Sequence, residues 1–579
     1  METLGHLAHS DPTGIPISSN DEVLTLRVRI AAWSFLTVAG LIETVVNRHT
    51  MQDDGVNYLD MGDAIVRGDW KMALNGVWSP LYPFLQALAL RIFKPRAYSQ
   101  FTVIHCINFL IFLFALGCFE FLLWAAIADR ESDSSATGIW PLPRWAVFGV
   151  GYAVFVWSSF NLIALQLVSP DMLMAGFLYL AVGLLLRIWV EADGFLKFIL
   201  LGAVLGLGYL AKAPVFPVSV VVFALAWFCA RGWRRAAPRV FAAVLAFLAL
   251  SAPWFTALSR AEGQLTFGDS GRFNYVVHVN GVSAEWFFQD LGSAGGQYIH
   301  PVHKIFDAPP IYEFSKPIQA TSALAYDPSY WAAGATPRVS LKRELSVIHH
   351  WLAFYLDFFF ASQTALFVGF IVLAFIAGRR LLPSQITARW PVWFLGLTGL
   401  AMYAVVYAEL RYIAVFFTLL WVGLFSGLKV RPGVDERRVV AAVTIAVGIG
   451  MAGPTVASVI SHLHHLRSQP HTRWQVAQDL QKLGVVPGDR VARIPGHFGL
   501  AWGRLLGVTE VARIPIENAA DFWCEKPETQ AQAIDALRHI NVAALVVEQP
   551  PPSKACGQGP EWHRVGDGTF YALMLGSTP

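Results

Sequence analysis

Two adjacent carboxylates, Asp53 and Asp54, are the side chains whose type and position best suit catalysis in this chain. They follow the first long apolar segment and begin a partly amphipathic stretch, which predicts a helix lying at a membrane surface. An isolated Asp pair there would most simply cap the helix and interact with its dipole. However, five acidic residues lie between positions 53 and 69, and clustered carboxylates beside lipid are costly unless they serve water, a metal or a substrate. The cluster therefore favours a functional role.

Further charged side chains are predicted on the same side of the membrane, at the ends of apolar segments that are distant in sequence. Asp171 ends a Ser-Pro-Asp turn, Lys212 lies in an Ala-Lys-Ala-Pro turn, and Glu409 and Arg411 are separated by one leucine. Singly, each has a simpler explanation: a helix cap, a lysine that snorkels to the membrane surface, and a local ion pair. Together they predict a shared polar site.

The composition indicates what class of protein must position these residues. The chain has 579 residues, of which 55% are hydrophobic and 14% charged, and its mean hydropathy is +0.48. Soluble globular chains carry about 25% charged residues, so this chain has too little polar side chain to cover a soluble particle of its size. An α-helical polytopic membrane protein is predicted. The net charge of +3, without a long basic run, predicts no nucleic-acid partner.

About eleven segments are long and apolar enough to cross a bilayer as helices. They are residues 26–46, 99–127, 144–160, 171–190, 195–211, 214–230, 240–258, 351–377, 391–408, 411–428 and 438–458. Lys and Arg concentrate in alternate connections, which places the N-terminus in the cytoplasm by the positive-inside rule. The predicted organisation is a cytoplasmic tail (1–24) without the apolar core of a cleaved signal, followed by a membrane domain (25–458) with outer loops 47–98 and 259–350.

The last part of the chain, residues 459–579, differs in composition and is predicted to be an extracytoplasmic α/β domain. Short apolar strands alternate with helical patterns there. Predicted helices lie at 474–482 and 530–539, and predicted strands at 490–494, 508–514, 542–547 and 570–575. Cys524 and Cys556 are its only cysteines. In an oxidising compartment, a disulfide between them and two free thiols are equally weighted alternatives.

The order of short motifs in residues 25–430 resembles the GT-C superfamily of integral-membrane glycosyltransferases. Its relatives include protein O-mannosyltransferases, the aminoarabinose transferase acting on lipid A, and the lipopolysaccharide-core transferases of rhizobia. The motifs are the outer Asp pair with Tyr58 following, Gly-Asp-Trp at 68–70, Ser-Pro-Leu-Tyr-Pro at 79–83, Ala-Lys-Ala-Pro at 211–214 and Arg-Tyr at 411–412. Residues 301–331 and the terminal domain do not match the well-studied members.

The resemblance implies a donor in which a sugar is joined through phosphate to a polyprenyl lipid. It also implies transfer, with inversion, to an acceptor hydroxyl of a lipid, glycan or protein on the outer face of a bacterial-type inner (plasma) membrane. Asp54 matches the catalytic Asp of the family, Tyr58 the Tyr that follows it, Asp171 a second acidic position, and Lys212 a Lys near the donor phosphate.

The sequence departs from the family pattern at two places. Gly55 follows Asp54 where the family often has Asp-Glu, and Trp78-Ser79-Pro80 replaces the Lys-Pro-Pro of the aminoarabinose transferases. The second departure removes a cation that would contact lipid phosphate.

The chemistry of an inverting transfer assigns a role to each residue. The acceptor hydroxyl loses a proton as the new bond forms, so a carboxylate must act as general base; we assign this role to Asp54, with Asp53 as helper or metal ligand. Lys212 and Arg411 are predicted to stabilise the phosphate leaving group. Tyr58 and Tyr82 either position sugar or phosphate oxygens through their hydroxyls or anchor the helix at the interface.

A metal ion is an open alternative. Asp53, Asp54 and Asp171 are oxygen ligands that suit a divalent cation such as Mg or Mn. His300 and His303, near Asp307, have ligand-like spacing but are more simply structural, and the same holds for a group just outside the last span, which comprises His462, His464, His465 and His471.

Two non-enzymatic functions compete with this prediction. A transporter or flippase of a lipid-linked sugar would explain the spans and the outer charges, but transporters usually place ionisable groups near the bilayer midplane, within related halves. A membrane-anchored binding scaffold would need only one span.

Overall fold

The structure is a computed structural model, and it describes residues 19–128, 140–191, 194–230, 232–283, 290–314, 318–376, 382–431, 433–465, 471–496, 499–519, 522, 525–548, 561–568 and 570–576. Cys524 and Cys556 lie outside the described residues. The three cysteines of the membrane domain are free thiols.

The chain is mostly helical. Its helices are α1 (Ser19–Val46), α2 (Asp53–Arg67), α3 (Trp70–Ala73), α4 (Leu81–Phe93), α5 (Gln100–Ile127), α6 (Arg144–Val156), α7 (Asp171–Val190), α8 (Phe195–Ala211), α9 (Val215–Cys229), α10 (Trp233–Glu262), α11 (Ser270–His278), α12 (Ala323–Tyr326), α13 (Pro328–Trp331), α14 (Leu341–Ser362), α15 (Thr364–Ile376), α16 (Leu382–Thr387), α17 (Trp390–Ala404), α18 (Leu410–Ser426), α19 (Val434–His465), α20 (Thr472–Lys482), α21 (Ala501–Leu506) and α22 (Pro527–His539).

The strands are short. They are β1 (Trp140–Pro141), β2 (Gly295–Gly296), β3 (His303–Asp307), β4 (Pro310–Glu313), β5 (Ala335–Thr336), β6 (Lys429–Val430), β7 (Arg490–Ile494), β8 (Thr509–Arg513), β9 (Val542–Val547), β10 (His563–Val565) and β11 (Phe570–Met574).

A bundle of apolar helices confirms a multi-pass membrane protein. Within the described ranges, six helices are long and apolar enough to span a bilayer, and shorter apolar helices such as α8, α9 and α18 complete the bundle. Each of the predicted spans corresponds to helical structure, although by length and composition alone fewer than eleven helices qualify as spans. Leu, Ile, Val and Phe side chains of these helices form one large buried core.

The predicted span 351–377 consists of two helices with a sharp bend between them. The helices α14 and α15 flank Gln363, and the chain bends by 76° between them. This side chain is fully buried, and its Oε1 accepts a hydrogen bond from Trp421 Nε1 at 2.7 Å. The helix bends here, where a buried amide is bonded to the neighbouring helix α18.

The terminal domain contains the predicted α/β unit, but it shares its sheet with strands from the segment 259–350. All six of its predicted helices and strands are present. The seven-stranded sheet has the order β10-β11-β9-β7-β8-β4-β3, in which β7 pairs in parallel with β8 and β9. β3 and β4 come from the predicted loop 259–350, and β4 pairs antiparallel with β8. The loop and the terminal domain are therefore one packed layer.

Candidate functional site

A cavity of about 390 Å³ with charged side chains in its lining lies between one end of the helix bundle and the shared sheet. It is lined by residues from the start of α2, the α8–α9 turn, α11, the α12–α13 region, the start of α18 and the end of β8. Its charged lining residues are Asp53, Asp54, Lys212, Arg411 and Arg513. Segments separated by hundreds of residues thus bring the predicted catalytic and phosphate-binding side chains together.

The first turn of α2 presents Asp54 to this cavity. Asp54 is 30% exposed, and its Oδ2 accepts a hydrogen bond from Arg411 Nη2 at 2.9 Å. The α2 start is fixed because the Gln52 side chain forms two hydrogen bonds with the backbone of Val168, at 3.0 and 3.2 Å. A Cβ on Gly55 would lie 2.2 Å from Met51 Sδ and 3.1 Å from Val168. This close packing explains why glycine follows Asp54.

Asp171 and Lys212 form a second ion pair beside the first. The carboxylate of Asp171, at the first position of α7, has no solvent exposure and accepts a hydrogen bond from Lys212 Nζ. The ammonium also lies 3.8 Å from the ring centre of Tyr412, in a cation–π contact. Burial lowers the pKa of Lys212, and the charge of Asp171 opposes this shift. We call Asp54, Asp171, Lys212 and Arg411 the cavity cluster.

The cavity cluster is incompletely hydrogen-bonded. Asp171 Oδ2 and Arg411 Nε are buried, and neither has a hydrogen-bond partner among the described residues. The two atoms lie 4.0 Å apart. Arg411 Nε is 2.8 Å from Glu409 Oε1, which is close enough for an ion pair but lacks the alignment of a hydrogen bond. Because buried polar groups are normally satisfied, these atoms mark a place where a polar ligand would be bound.

An apolar groove of about 260 Å³ continues from the cavity. The two spaces share Ala213, Pro214, Tyr403 and Tyr412 among their lining residues. Beyond them the groove is lined mainly by Phe216, Pro217, Phe267, Met402, Val406 and Tyr407, from α9, the α10–α11 connection and α17. A cavity with charged side chains is thus joined to an apolar groove at one end of the helix bundle.

The two predicted tyrosines occupy different positions. Tyr58 lines the cavity. Burial and then the charges of Asp54 and Asp171 raise the pKa of Tyr58 well above its ordinary value, so its hydroxyl stays protonated and can donate a hydrogen bond. Tyr82 lies behind it with ring centres 5.2 Å apart, and its hydroxyl donates to Asn108 Oδ1 at 2.7 Å. Tyr82 therefore packs behind the cavity and does not line it.

Asp53 also lines the cavity, but its hydrogen-bond partner lies outside the cavity cluster. Its Oδ1 accepts a hydrogen bond from the backbone N–H of Leu500, in the terminal domain, at 2.8 Å. The three predicted metal ligands thus have different partners, since Asp54 pairs with Arg411 and Asp171 with Lys212. No group of three His, Cys, Asp or Glu side chains placed to hold a metal occurs among the described residues. These carboxylates, neutralised by cations, do not fit a divalent metal.

The other predicted ligand groups are also dispersed. His300 stacks on Tyr330 with ring centres 4.0 Å apart, while Asp307 pairs with Lys304 at 2.8 Å. His462 Nδ1 lies 2.8 Å from Glu43 Oε1, which joins α19 to α1. The ring of His471 contacts the ring of His49. Burial, and then the charge of Arg48, lower the pKa of His49 to about 4. These contacts are structural.

Sequence reasoning missed Arg513, at the end of β8, which lines the cavity. Its Nε and Nη2 donate to the two oxygens of Glu510 at 2.9 and 2.8 Å. Glu510 also accepts from Arg493 Nε at 3.1 Å and from Ser322 Oγ at 2.7 Å. We call these four residues the Glu510 hub. A signal was present in the sequence, since a glutamate inside the short apolar strand 509–513 needs buried partners.

Comparisons with known proteins found no matching protein-family model and no matching curated protein. Among solved structures, the chain is similar to ArnT from Cupriavidus metallidurans bound to undecaprenyl phosphate, with 12% identity and a TM-score of 0.43, covering 94% of this chain and 98% of that one.

A second similar structure is the Archaeoglobus fulgidus oligosaccharyltransferase tethered to an acceptor peptide. It shows 12% identity and a TM-score of 0.44, and the match covers 89% of this chain and 68% of that one. Both are GT-C glycosyltransferases, the superfamily that the sequence motifs resemble. Because TM-scores this low establish neither a shared fold nor shared chemistry, the function has to be argued from the site.

Proposed function

We propose that the chain is a membrane glycosyltransferase that moves a sugar from a polyprenyl-phosphate-linked donor to an acceptor hydroxyl, with inversion at the anomeric carbon. The observation that carries this proposal is the position of the Asp54–Arg411 pair. It lies in a cavity with charged side chains that runs into an apolar groove between α9 and α17. A substrate with a charged head and an apolar tail fits that combination.

The proposed donor divides between the two spaces. Its polyprenyl chain lies in the groove of α9 and α17, and its phosphate enters the cavity beside Lys212 and Arg411. Arg411 Nε, which makes no aligned hydrogen bond with Glu409, supplies a donor for a phosphate oxygen. Preorganised cations act most strongly where water is excluded, and Lys212 is only 17% exposed.

Asp54 is the proposed general base. The acceptor oxygen attacks the anomeric carbon, the bond between that carbon and the phosphate oxygen breaks, and the electron pair leaves with the phosphate. The acceptor proton passes to the Asp54 carboxylate. A positioned base contributes about 10²–10⁴-fold to the rate, and Lys212 and Arg411 stabilise the charge that develops on the leaving phosphate.

The part of the cavity that is not shared with the groove is assigned to the acceptor in this proposal. It is lined by Leu324, Ala325 and Pro328 of the α12–α13 region and by Arg513, none of which lines the groove. The outer loops and the terminal domain then lie on the extracytoplasmic face of an inner (plasma) membrane, with the N-terminus in the cytoplasm, as the distribution of Lys and Arg predicts.

A lipid-sugar transporter is the main competing function. The ionisable residues here lie at helix ends beside the shared sheet. Transporters usually place such residues near the bilayer midplane, often where a helix is broken. A scaffold would have no use for a buried, incompletely satisfied charge cluster.

Bond cleavage separates these functions directly. The purified protein is reconstituted in proteoliposomes with doubly labelled polyprenyl-phosphate hexoses or pentoses, and a bacterial envelope extract supplies acceptors. The proposal predicts release of polyprenyl phosphate and incorporation of the sugar into the extract. Movement of intact labelled lipid between leaflets, without cleavage, would instead identify a transporter.

A further inference from the structure

We infer that the terminal α/β domain holds the catalytic helix in register, and that Asp53 is the positioning residue that sets its neighbour Asp54. This inference rests on the proposed function. It gives the domain a part in the rate of the chemical step, separate from any role in recognising the acceptor.

Helix α2 has two polar faces with different partners. Asp54 and Tyr58 are four residues apart, so they share one face, and both line the cavity. Asp53 and Asp60 are seven residues apart, two helical turns, so they share an adjoining face, and Asp53 lies where that face reaches the cavity. That second face meets the terminal domain.

The first contact of the second face lies beside the base. The Leu500 N–H that bonds Asp53 belongs to the connection that follows β7. Gly499 approaches so closely that a Cβ there would lie 2.1 Å from Asp53 Oδ1, and its φ of +66° also favours glycine. Arg493, at the end of β7, lies close enough to attract the Asp53 carboxylate. The turn is therefore fitted to this side chain.

The second contact is a buried ion pair further along the helix. Arg504 Nη1 lies 2.8 Å from Asp60 Oδ1 and 2.6 Å from Asp63 Oδ2. Asp60 also accepts hydrogen bonds from the backbone N–H and the hydroxyl of Thr321, at 2.7 and 3.0 Å. Two carboxylates of the acidic cluster thus dock α21 of the terminal domain.

The two contacts fix both the rotation and the axial position of α2. Asp54 is held opposite Arg411 because Asp53, the preceding residue, is tied to the turn at 499–500. Misplacing a reacting group by about 1 Å costs about 10²-fold in rate. Loosening the turn should therefore lower kcat while the donor, bound by Lys212, Arg411 and the groove, keeps its KM.

Matched glycine variants test this inference. Gly499→Ala adds a Cβ against Asp53 at φ +66°, whereas Gly488→Ala adds a Cβ at another positive φ, +96°, in a turn of the same domain with no atom within 4 Å. We expect Gly499→Ala to lower kcat for donor cleavage about 10²-fold relative to Gly488→Ala, with donor KM within about twofold, when both proteins are assayed below their thermal unfolding midpoints.

Two Asp53 variants add a test of rescue. Asp53→Ala removes the acceptor of the Leu500 N–H, whereas Asp53→Asn keeps an oxygen at that position. We therefore expect a higher kcat for donor cleavage in Asp53→Asn than in Asp53→Ala. Equal kcat values in the two glycine variants would overturn the inference, as would an Asp53→Asn protein no more active than Asp53→Ala.

Hydrogen exchange of amides 55–58 keeps this test separate from the proposed function. The inference predicts faster exchange in Gly499→Ala than in Gly488→Ala even if no donor is cleaved by any protein. Identical exchange would contradict the docking role, whereas the absence of cleavage by the parent protein would contradict only the proposed function.

Discussion

Two ion-pair networks flank the same cavity, and they differ in how completely their charges are satisfied. Glu510 is fully buried and accepts four hydrogen bonds from Arg493, Arg513 and Ser322. Asp171 is also fully buried, yet one of its oxygens has no hydrogen-bond partner among the described residues. Buried charge is costly unless it is paired. We therefore infer that the two networks have different roles.

The comparison separates scaffold from site. The Glu510 hub joins β7, β8 and the loop before α12, and its satisfied bonds hold three segments in one arrangement. The cavity cluster joins α2, α7, the α8–α9 turn and α18, and leaves donors and acceptors for a ligand. Substitutions in the hub should therefore act on stability, whereas substitutions in the cavity cluster should act on turnover.

The largest effect that the comparison predicts outside Asp54 is on Arg411. Arg411→Gln removes the cation that faces both Asp54 and the proposed phosphate site. We expect kcat for donor cleavage to fall about 10²–10³-fold, as for loss of a preorganised donor. The folded protein should keep a near-native thermal unfolding midpoint in detergent. A loss of activity that is explained by unfolding would contradict the predicted difference between the two networks.

The hub should show the opposite pattern. Glu510→Gln removes the carboxylate that Arg493 and Arg513 share, and breaking a buried ion pair in this way costs about 3–5 kcal/mol. Denaturant unfolding of the terminal domain measures this change. The exposed pair Asp535–Arg538 offers the matched control, because Asp535→Asn should cost less than about 1 kcal/mol. Comparable losses of unfolding free energy in both variants would contradict the structural role of the Glu510 hub.

Acid titration sharpens the same point. Burial raises the pKa of Glu510, but Arg493 and Arg513 outweigh it and lower the pKa from its ordinary 4.5 to about 2. The folded pKa is depressed, so this contribution to stability is present above pH 4.5 and is lost as the pH falls towards 2. We expect a slope of stability with pH in that window that Glu510→Gln lacks. The same slope in both proteins would show that other carboxylates cause it.

The smallest effect concerns a satisfied hydrogen bond just behind the cavity. Tyr82→Phe removes the bond to Asn108, which should cost about 1 kcal/mol of stability. Because Tyr82 does not line the cavity, we expect kcat and donor KM to change less than about threefold by steady-state assay. A larger change confined to KM would assign Tyr82 to substrate binding after all.

The sequence predicted local features well because they depend on hydrophobicity and periodicity. The apolar segments and the strands of the terminal domain follow from composition, and the residues of the cavity cluster follow from charges placed at apolar segment ends. The pairing of β4 with β8 could not be predicted, since nothing local joins two segments some 200 residues apart. The bend at Gln363 was missed because a single amide in an apolar run leaves its mean hydropathy high.

The roles of Asp53 and Arg513 depend on the same long-range packing. As a neighbour of Asp54, Asp53 looked like a second catalytic or metal-binding carboxylate, yet its partner is Leu500, 447 positions away. Adjacent residues of a helix point in different directions, so Asp54 pairs with Arg411 while Asp53, at the edge of the same cavity, bonds to the terminal domain.

Donor cleavage by Asp54→Asn tests the central claim most directly. The variant keeps the shape of the side chain and a hydrogen-bond acceptor for Arg411 but cannot take up the acceptor proton. With the protein in proteoliposomes and its fold verified by thermal unfolding, we predict that sugar transfer falls at least about 10²-fold while Asp535→Asn stays at the parent rate. Transfer by Asp54→Asn at the parent rate would contradict the account.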